Sequence, residues 1–522
     1  MKTQKQLVLA VAINALFGAG LSLPVEVEAD TNQGKVSEAE LARQRIQKAQ
    51  IELRKKEVAK EEYIKKNGYY LEPGSYSTKR IPTPPNYVRN LSKTGIESAK
   101  NTTWLDVGLE TRFRYEYRDN DIRRKTAVVD EPLLIRTRVY FGIKEILDPF
   151  RFAVEVQDSR RYNSQFDTDV RDVNEFELIS GYGELFFKNA FGEDDLGNAR
   201  PFSLKAGRFN FEFLDRRLIG ANEWRNTTNT FQGFQSALGS EKNDWQVDLL
   251  ALQPLERLKY EWDIPVDEQW FSAAIGHWRK WRDIITLEPY YMGLHQDAGA
   301  KNSFVGKDIH ATALRGYGWV GDSGVNYDFD VIYQFGNNAG QVHDAYGYTT
   351  EIGYSFKHDW KPRLSASYGY ASGDENPNDN VDNRFERFYG FARPWSADDY
   401  IVFENVSAPK IRLEIEPSKK FRADIGYGWF WLASNTDRFN NLNTVPDAKG
   451  LNRDKTGKSG DYLGDSIDFR LRYKIDPRVE TTFGYSHFST GEFVQNIQDK
   501  SRGSHSDASD FFYVEISLNA FK

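Results

Sequence analysis

A two-residue alternation, held over unusually long runs, limits what this chain can fold into. Between Leu105 and Arg118, apolar or aromatic residues (Leu105, Val107, Leu109, Phe113, Tyr115, Tyr117) share one parity, while Asp106, Glu110, Arg112, Arg114, Glu116 and Arg118 share the other. Successive side chains of a strand point to opposite faces, so such a run has one greasy and one charged face. The pattern recurs in Leu133–Lys144, Lys410–Glu416, Phe421–Trp431 and Ser466–Lys474. A soluble sandwich would bury the greasy face against a second sheet. An outer-membrane barrel would turn it to lipid and keep the charged face around an aqueous lumen. Length decides between them: the runs cover roughly 9–15 residues, enough for the ~9–11 that cross a bilayer and longer than the five or six usual in globular sheets. Aromatic clusters in "YGWFWL", "HWRKW" and "RPWSADDY" fall where interfacial girdles are expected. The expectation is an all-β fold, a transmembrane antiparallel barrel of about 18 strands at roughly 22–25 residues per strand with half its connections.

The rest of the chain divides around that barrel. Lys2 and Lys5 precede the apolar run Leu7–Leu23, so residues 1–29 read as a secretory signal peptide. Residues 30–68 read as a charged periplasmic helix, with Ser37 and Glu40 spaced as a capping box and Asn67-Gly68 as its end. Its sparse apolar stripe favours a solvated helix over a pore plug or a partner-binding surface. Residues 69–103, with four prolines in "EPGSYSTKRIPTPPNY", read as an extended linker, and Asp30–Lys100 as dispensable for assembly because that segment lacks the alternating apolar face of the strands. Residues 104–522 are the barrel. Tight turns are expected at "DPF" near Asp148 and "DPR" near Asp476. Long outward loops are expected after Ser372 and Ser434, the asymmetry of outer-membrane barrels.

Several motifs resemble those of the alginate export family of outer-membrane porins. Gly207-Arg208, Asp215, "RLIG" at Arg217–Gly220, Trp224, Asn226, Thr230 and Phe231 match its pattern without gaps. "QDSR" at Gln157–Arg160, "YASGDENPND" from Tyr370 and "LGDSIDFRLRY" leading to "GYSHFSTGEFV" extend the resemblance over nearly everything from Trp104 onward. The resemblance implies a monomeric barrel with a basic constriction for a uronic acid polymer, in which Arg208 and Arg217 hold family arginine positions. Phe209 and Asn210 depart from the family's Gln-Glu, Asn229 stands where an arginine is usual, and Gln232 replaces an acidic residue.

The charged face of the four cleanest strands argues independently for an anionic cargo. It carries eleven basic residues (Arg112, Arg114, Arg118, Arg136, Arg138, Lys144, Lys410, Arg412, Arg470, Arg472, Lys474) against six acidic ones, inside a chain of net charge −7. Rings of arginine or lysine favour anions in pores, and the guanidinium fork suits carboxylates. The candidate lumenal residues are therefore Arg208, Arg217, Arg112, Arg114, Arg136, Arg138, Arg412, Arg470 and Arg472, with no cofactor expected. Phe209, Phe211 and Phe213 are expected to face lipid, and the irregular stretch after them to fold inward. Enzyme motifs are weak: "GDSG" at Gly321–Gly324 runs straight into an alternating strand and reads as a hairpin turn. The seven histidines lack metal-ligand spacing. Neither a phosphate-binding glycine motif nor a nucleic-acid footprint is present. The expected function is an outer-membrane channel for an anionic polysaccharide or oligosaccharide, with outer-membrane lipid around it and periplasmic export or synthesis proteins as further partners. A less selective porin for small anions or sugars, or a surface-binding barrel without transport, are the alternatives.

Overall fold

Among the described residues, eighteen long strands follow one another in chain order, each paired antiparallel with the next. The computed structural model describes residues 38–76, 82–124, 126–212, 216–299, 304–376, 378–391, 395–439 and 452–521. The first six strands are β1 (Leu105–Asp119), β2 (Leu133–Ile143), β3 (Phe150–Tyr162), β4 (Asn174–Phe187), β5 (Phe202–Phe209) and β6 (Phe231–Gly239). The next six are β7 (Trp245–Glu256), β8 (Gln269–Trp278), β9 (Thr286–Gln296), β10 (Lys307–Trp319), β11 (Val325–Asn338) and β12 (Gln341–Ser355). The last six are β13 (Arg363–Ala371), β14 (Val406–Ser418), β15 (Phe421–Trp431), β16 (Tyr462–Asp476), β17 (Val479–Thr490) and β18 (Ala508–Asn519). β18 returns to β1, with Asp510 opposite Asp119 and Asn519 opposite Glu110. This closure pairs strand amides and carbonyls within the sheet, as hydrocarbon surroundings require.

The two strand faces fall as the alternation predicts. On β2, Phe141 is 54% exposed whereas Arg136 and Arg138 are 4% and 2% exposed. Val331, Ile352, Leu364 and Ile411 are exposed in the same way on other strands. Apolar outside and charged inside is the inverse of a sandwich, and lipid is the surrounding that makes it favourable. Connections at one end are short, among them 144–149, 240–244, 320–324, 419–420 and 477–478, and include both "DP" turns. The other end carries 120–132, 163–173, 210–230, 372–405, 432–461 and 491–507, the last containing helix α2 (Glu492–Arg502). The "GDSG" stretch is a hairpin turn, with Gly324 at φ +86° and the Ser323 hydroxyl donating to Val320 O (2.6 Å).

The barrel is filled from that long-looped end. The described parts of connections 210–230 and 372–405 fold into the lumen and meet at an Ile219–Tyr389 bridge. They bury Leu218, Ile219, Phe385, Phe403 and Tyr400 against inward residues such as Phe231 and Phe271. Trp395 and Tyr400 of "RPWSADDY" belong to this lumenal core and not to a girdle. Exposed Trp278 and Trp281, 5.7 Å apart, do lie at the short-turn end.

Two expectations are corrected. Phe209 and Phe211 do not face lipid: both are buried, with Phe209 edge-on to Tyr182 at 6.2 Å. Ala206 marks the exposed parity of β5, which puts Lys205 and Phe209 on the inner face and ends the strand before Phe211. A local Phe-x-Phe alternation does not carry the phase of the strand it follows. Phe213 lies outside the described residues, as does the signal segment.

The described parts of residues 69–103 are likewise not a free linker. The chain divides into Met1–Tyr63 and a unit running from Ile64 to Lys522, so the linker belongs with the barrel. Its Val88–Asn90 pairs with β1, Val88 lying opposite Gly108. Proline content announced an extended backbone but not what its remaining polar groups would bind. Helix α1 spans Glu38–Asn67, and its Ile46, Ile51, Leu53 and Val58 are exposed.

Candidate functional site

Four of the nine candidate arginines anchor the inward connection 210–230. Arg112 donates to the carbonyls of Glu223 and Arg225 (both 2.8 Å), and Arg136 donates to Glu223 O (3.2 Å) and pairs with Glu110 (3.0 Å). Arg138 grips the Glu223 carboxylate (2.7 Å), Gln157 (2.7 Å) and Thr228 (2.5 Å). Arg114 pairs with Glu116 (2.8 Å) and lies 4.0 Å over the Trp224 ring. Burial pushes the Glu223 carboxyl up, but Arg138, Arg136 and Arg112 more than reverse this and hold it at about 2. Asn226 fixes the apex by donating to the carbonyls of Ile135, Arg160 and Asp172 (2.9–3.1 Å).

Three further candidates converge lower in the barrel. Arg412, Arg470 and Arg472 surround Asp424 at 2.5, 3.0 and 3.5 Å. Arg412 also lies 3.7 Å over the ring of Tyr76, a residue of the N-terminal segment. The last two candidates stand apart. Arg208, on the face of β5 opposite Phe209, pairs with Glu177 (2.5 Å) and donates to the carbonyls of Leu178 (3.3 Å) and Asp263 (2.8 Å). Arg217, inside the lumen, lies 4.7 Å over Trp395.

The charge excess of eleven against six shrinks once the tertiary partners are in place. Glu515, Asp424 and Glu480 arrive from strands outside the four counted, and Glu223 from the inward connection. Arg112, Arg114, Arg136 and Arg138 hold the inward connection in place.

A more basic cleft lies at the long-looped end, where the sequence had marked no candidate other than Arg114. A cavity of about 70 Å³ is lined by seven arginines, Arg114, Arg118, Arg123, Arg124, Arg161, Arg171 and Arg225, and by the carboxylates Glu116, Asp121, Asp130, Asp172 and Asp399. Most are paired at short range: Arg123 with Asp121 (2.8 Å), Arg161 with Asp172 (2.9 Å) and Arg171 with Asp169 (2.7 Å). Arg225 is held more loosely, 4.0 Å from Asp399. Burial lowers its pKa; Asp399 opposes this, and Arg171, Arg257 and Arg387 add to it, leaving Arg225 at about 9. It remains protonated at neutral pH, and an added negative charge beside it would relieve that repulsion. The legible signal was a basic residue or pair at each strand end ("DIRRK", "DSRRY", "VRDV"), which alternation counting passes over because the loop fold brings them together. Two larger cavities lie elsewhere among the described residues, about 770 Å³ on the short-turn side around Lys205 and Asp248 and about 500 Å³ around Lys307 and Arg384.

Comparison with known proteins agrees with this architecture. No curated protein sequence matches the chain. Among solved structures it is similar to Pseudomonas aeruginosa OccD3 (OpdP), with 12% identity, TM-score 0.54 and coverage of 86% of this chain and 98% of that one. It is also similar to Pseudomonas aeruginosa OpdK solved with vanillate (11%, 0.54, 79% and 98%) and OccK11 (OpdR) (12%, 0.52, 79% and 95%). At such identity these share the fold alone. The alginate export family model matches residues 103–506. With its closed eighteen-strand ring, lipid-ready outer face and loop-filled lumen, this chain belongs to the alginate export family and forms an outer-membrane channel.

Proposed function

We propose that the channel passes an anionic polysaccharide or oligosaccharide of the uronate type. The observation that carries this reading is the cleft of seven arginines against five carboxylates at the long-looped end, with Arg225 4.0 Å from its acidic neighbour and close to Arg171 and Arg257. A carboxylate entering there meets planar donors that pair with it bidentately. The low-dielectric walls of a narrow pore concentrate the field on it. Family membership supports the same cargo class. Polymer passage also implies periplasmic export or synthesis proteins delivering the chain, and a monomeric barrel suffices for the task.

Planar-bilayer recording tests this. Polyuronate added to one side should block the anion current, a neutral polysaccharide of equal length should not, and Arg225→Gln should raise the blocking concentration about tenfold, the loss of one charge-assisted contact. Equal block by both polymers would refute an acidic cargo. A second reading is a porin for small organic anions, favoured by the fold shared with OpdK, which was solved with vanillate. Block by monomeric carboxylates as strong as by polymer would select it.

A further inference from the structure

We propose that residues 68–76 and 82–90 form a built-in plug that closes the short-turn half of the lumen and must shift for solute to pass. The segment enters over the rim: Tyr69 N donates to Lys242 O (2.8 Å), and the Arg282 guanidinium donates to Gly68 O. Both partners lie in short turns. Gly68 has φ +61°, and a Cβ there would lie 2.2 Å from Lys242 O, so this entry point accepts only glycine. The chain then passes the Trp319 indole, which donates to Glu72 O (3.5 Å), and reaches the inner wall. Ser75 donates to Asp328 of β11 (2.5 Å), and the Tyr76 amide donates to Glu351 of β12 (3.3 Å). The Tyr76 ring rests under Arg412 of β14 at 3.7 Å, and its hydroxyl donates to Asp424 of β15 (3.3 Å) and accepts from Arg470 of β16.

The returning part touches the other side of the ring. Pro82, Thr83, Pro85 and Asn86 line the 770 Å³ cavity, whose opposite boundary includes Phe209, Phe211 and Ala221 of the wall end and inward connection. The buried Tyr87 hydroxyl donates to Glu155 of β3, and Val88–Asn90 joins the edge of β1. Residues 68–76 therefore bear on β11, β12, β14, β15 and β16, and residues 82–90 on β1 and β3. Their grip is mostly polar. Hydrogen bonds and ion contacts exchange with water and salt at little net cost, and only Tyr87 and Val88 join an apolar cluster, with Tyr140 and Ala153. A strap anchored this way can detach while the wall stays intact, as low-stability elements of switching proteins do. The closure is independent of which solute is carried.

The test uses the full-length protein in planar bilayers. The chain has no cysteine, so Ser75→Cys with Asp328→Cys introduces one pair, whose disulfide is verified by mass. The oxidised channel should stay at its lowest conductance level, and reductant should restore larger openings. Independently, Ser75→Ala with Tyr76→Ala should raise mean conductance several-fold while the barrel keeps its folded, heat-modifiable gel mobility. A verified disulfide that leaves openings unchanged, or a folded Ser75→Ala, Tyr76→Ala channel conducting like the parent, would overturn the proposal.

Discussion

Glu223→Gln tests whether the inward connection is held electrostatically. Glu223 sits 2.7 Å from Arg138 and 3.3 Å from Arg136, at 22% side-chain exposure, and its pKa falls from 4.5 to about 2. That difference, at 1.36 kcal/mol per tenfold, corresponds to about 3 kcal/mol favouring the docked carboxylate. Because the folded value is the lower one, this contribution is complete above pH 4.5 and is lost as pH falls toward 2. Glutamine keeps the shape and one acceptor but removes the charge, so the docked fraction of residues 210–230 should drop by about two orders of magnitude relative to the undocked one. Single-channel recording should show flickering, and protease added outside intact cells should cut the connection faster. The variant should also become more anion-selective, because Arg112, Arg136 and Arg138 lose a shared counter-charge. Quiet openings and unchanged cleavage in a folded variant would show that apolar packing of Leu218 and Ile219, not the arginine clamp, holds the connection.

Two further perturbations probe the outer end and the wall. Burial, reinforced by Glu177, pushes the Asp263 carboxyl up to about 7 despite its hydrogen bond from Leu258 N (2.8 Å). Between pH 3.8 and about 7 the folded state keeps a proton that the unfolded state has released, so stability falls as pH rises through this window. Asp263→Asn should flatten that slope in urea unfolding followed by gel mobility, and an unchanged slope would assign it to other groups. Val331, midway along β11 and 56% exposed, faces lipid; Val331→Arg should destabilise the inserted barrel by ~2–4 kcal/mol. Insertion into liposomes at parental urea concentrations would contradict the lipid-facing assignment.

The alternation of Leu105–Arg118 and its counterparts determined the barrel by itself, because strand geometry is local: parity fixes the face, run length fixes the span, and the sum of spans fixes the number of strands. The two "DP" turns and the "GDSG" hairpin were legible for the same reason. What lies inside the ring was not. Phe209 and Phe211 carry the same period as lipid-facing residues, and only the contacts of Phe209 with Phe231 and Tyr182 and the burial of Phe211 reveal the inner phase. The eleven basic residues looked uncompensated because Glu223, Glu515 and Asp424 are distant in sequence and become partners only when the ring closes and the loops fold in. Residues 69–103 read as an extended linker because proline and polarity describe a backbone's stiffness and not its destination. Tertiary structure alone brings Tyr76 to Arg412 and Arg225 to Arg171 and Asp399, since those contacts depend on which loops enter the lumen and how deeply, a global property that no local period encodes.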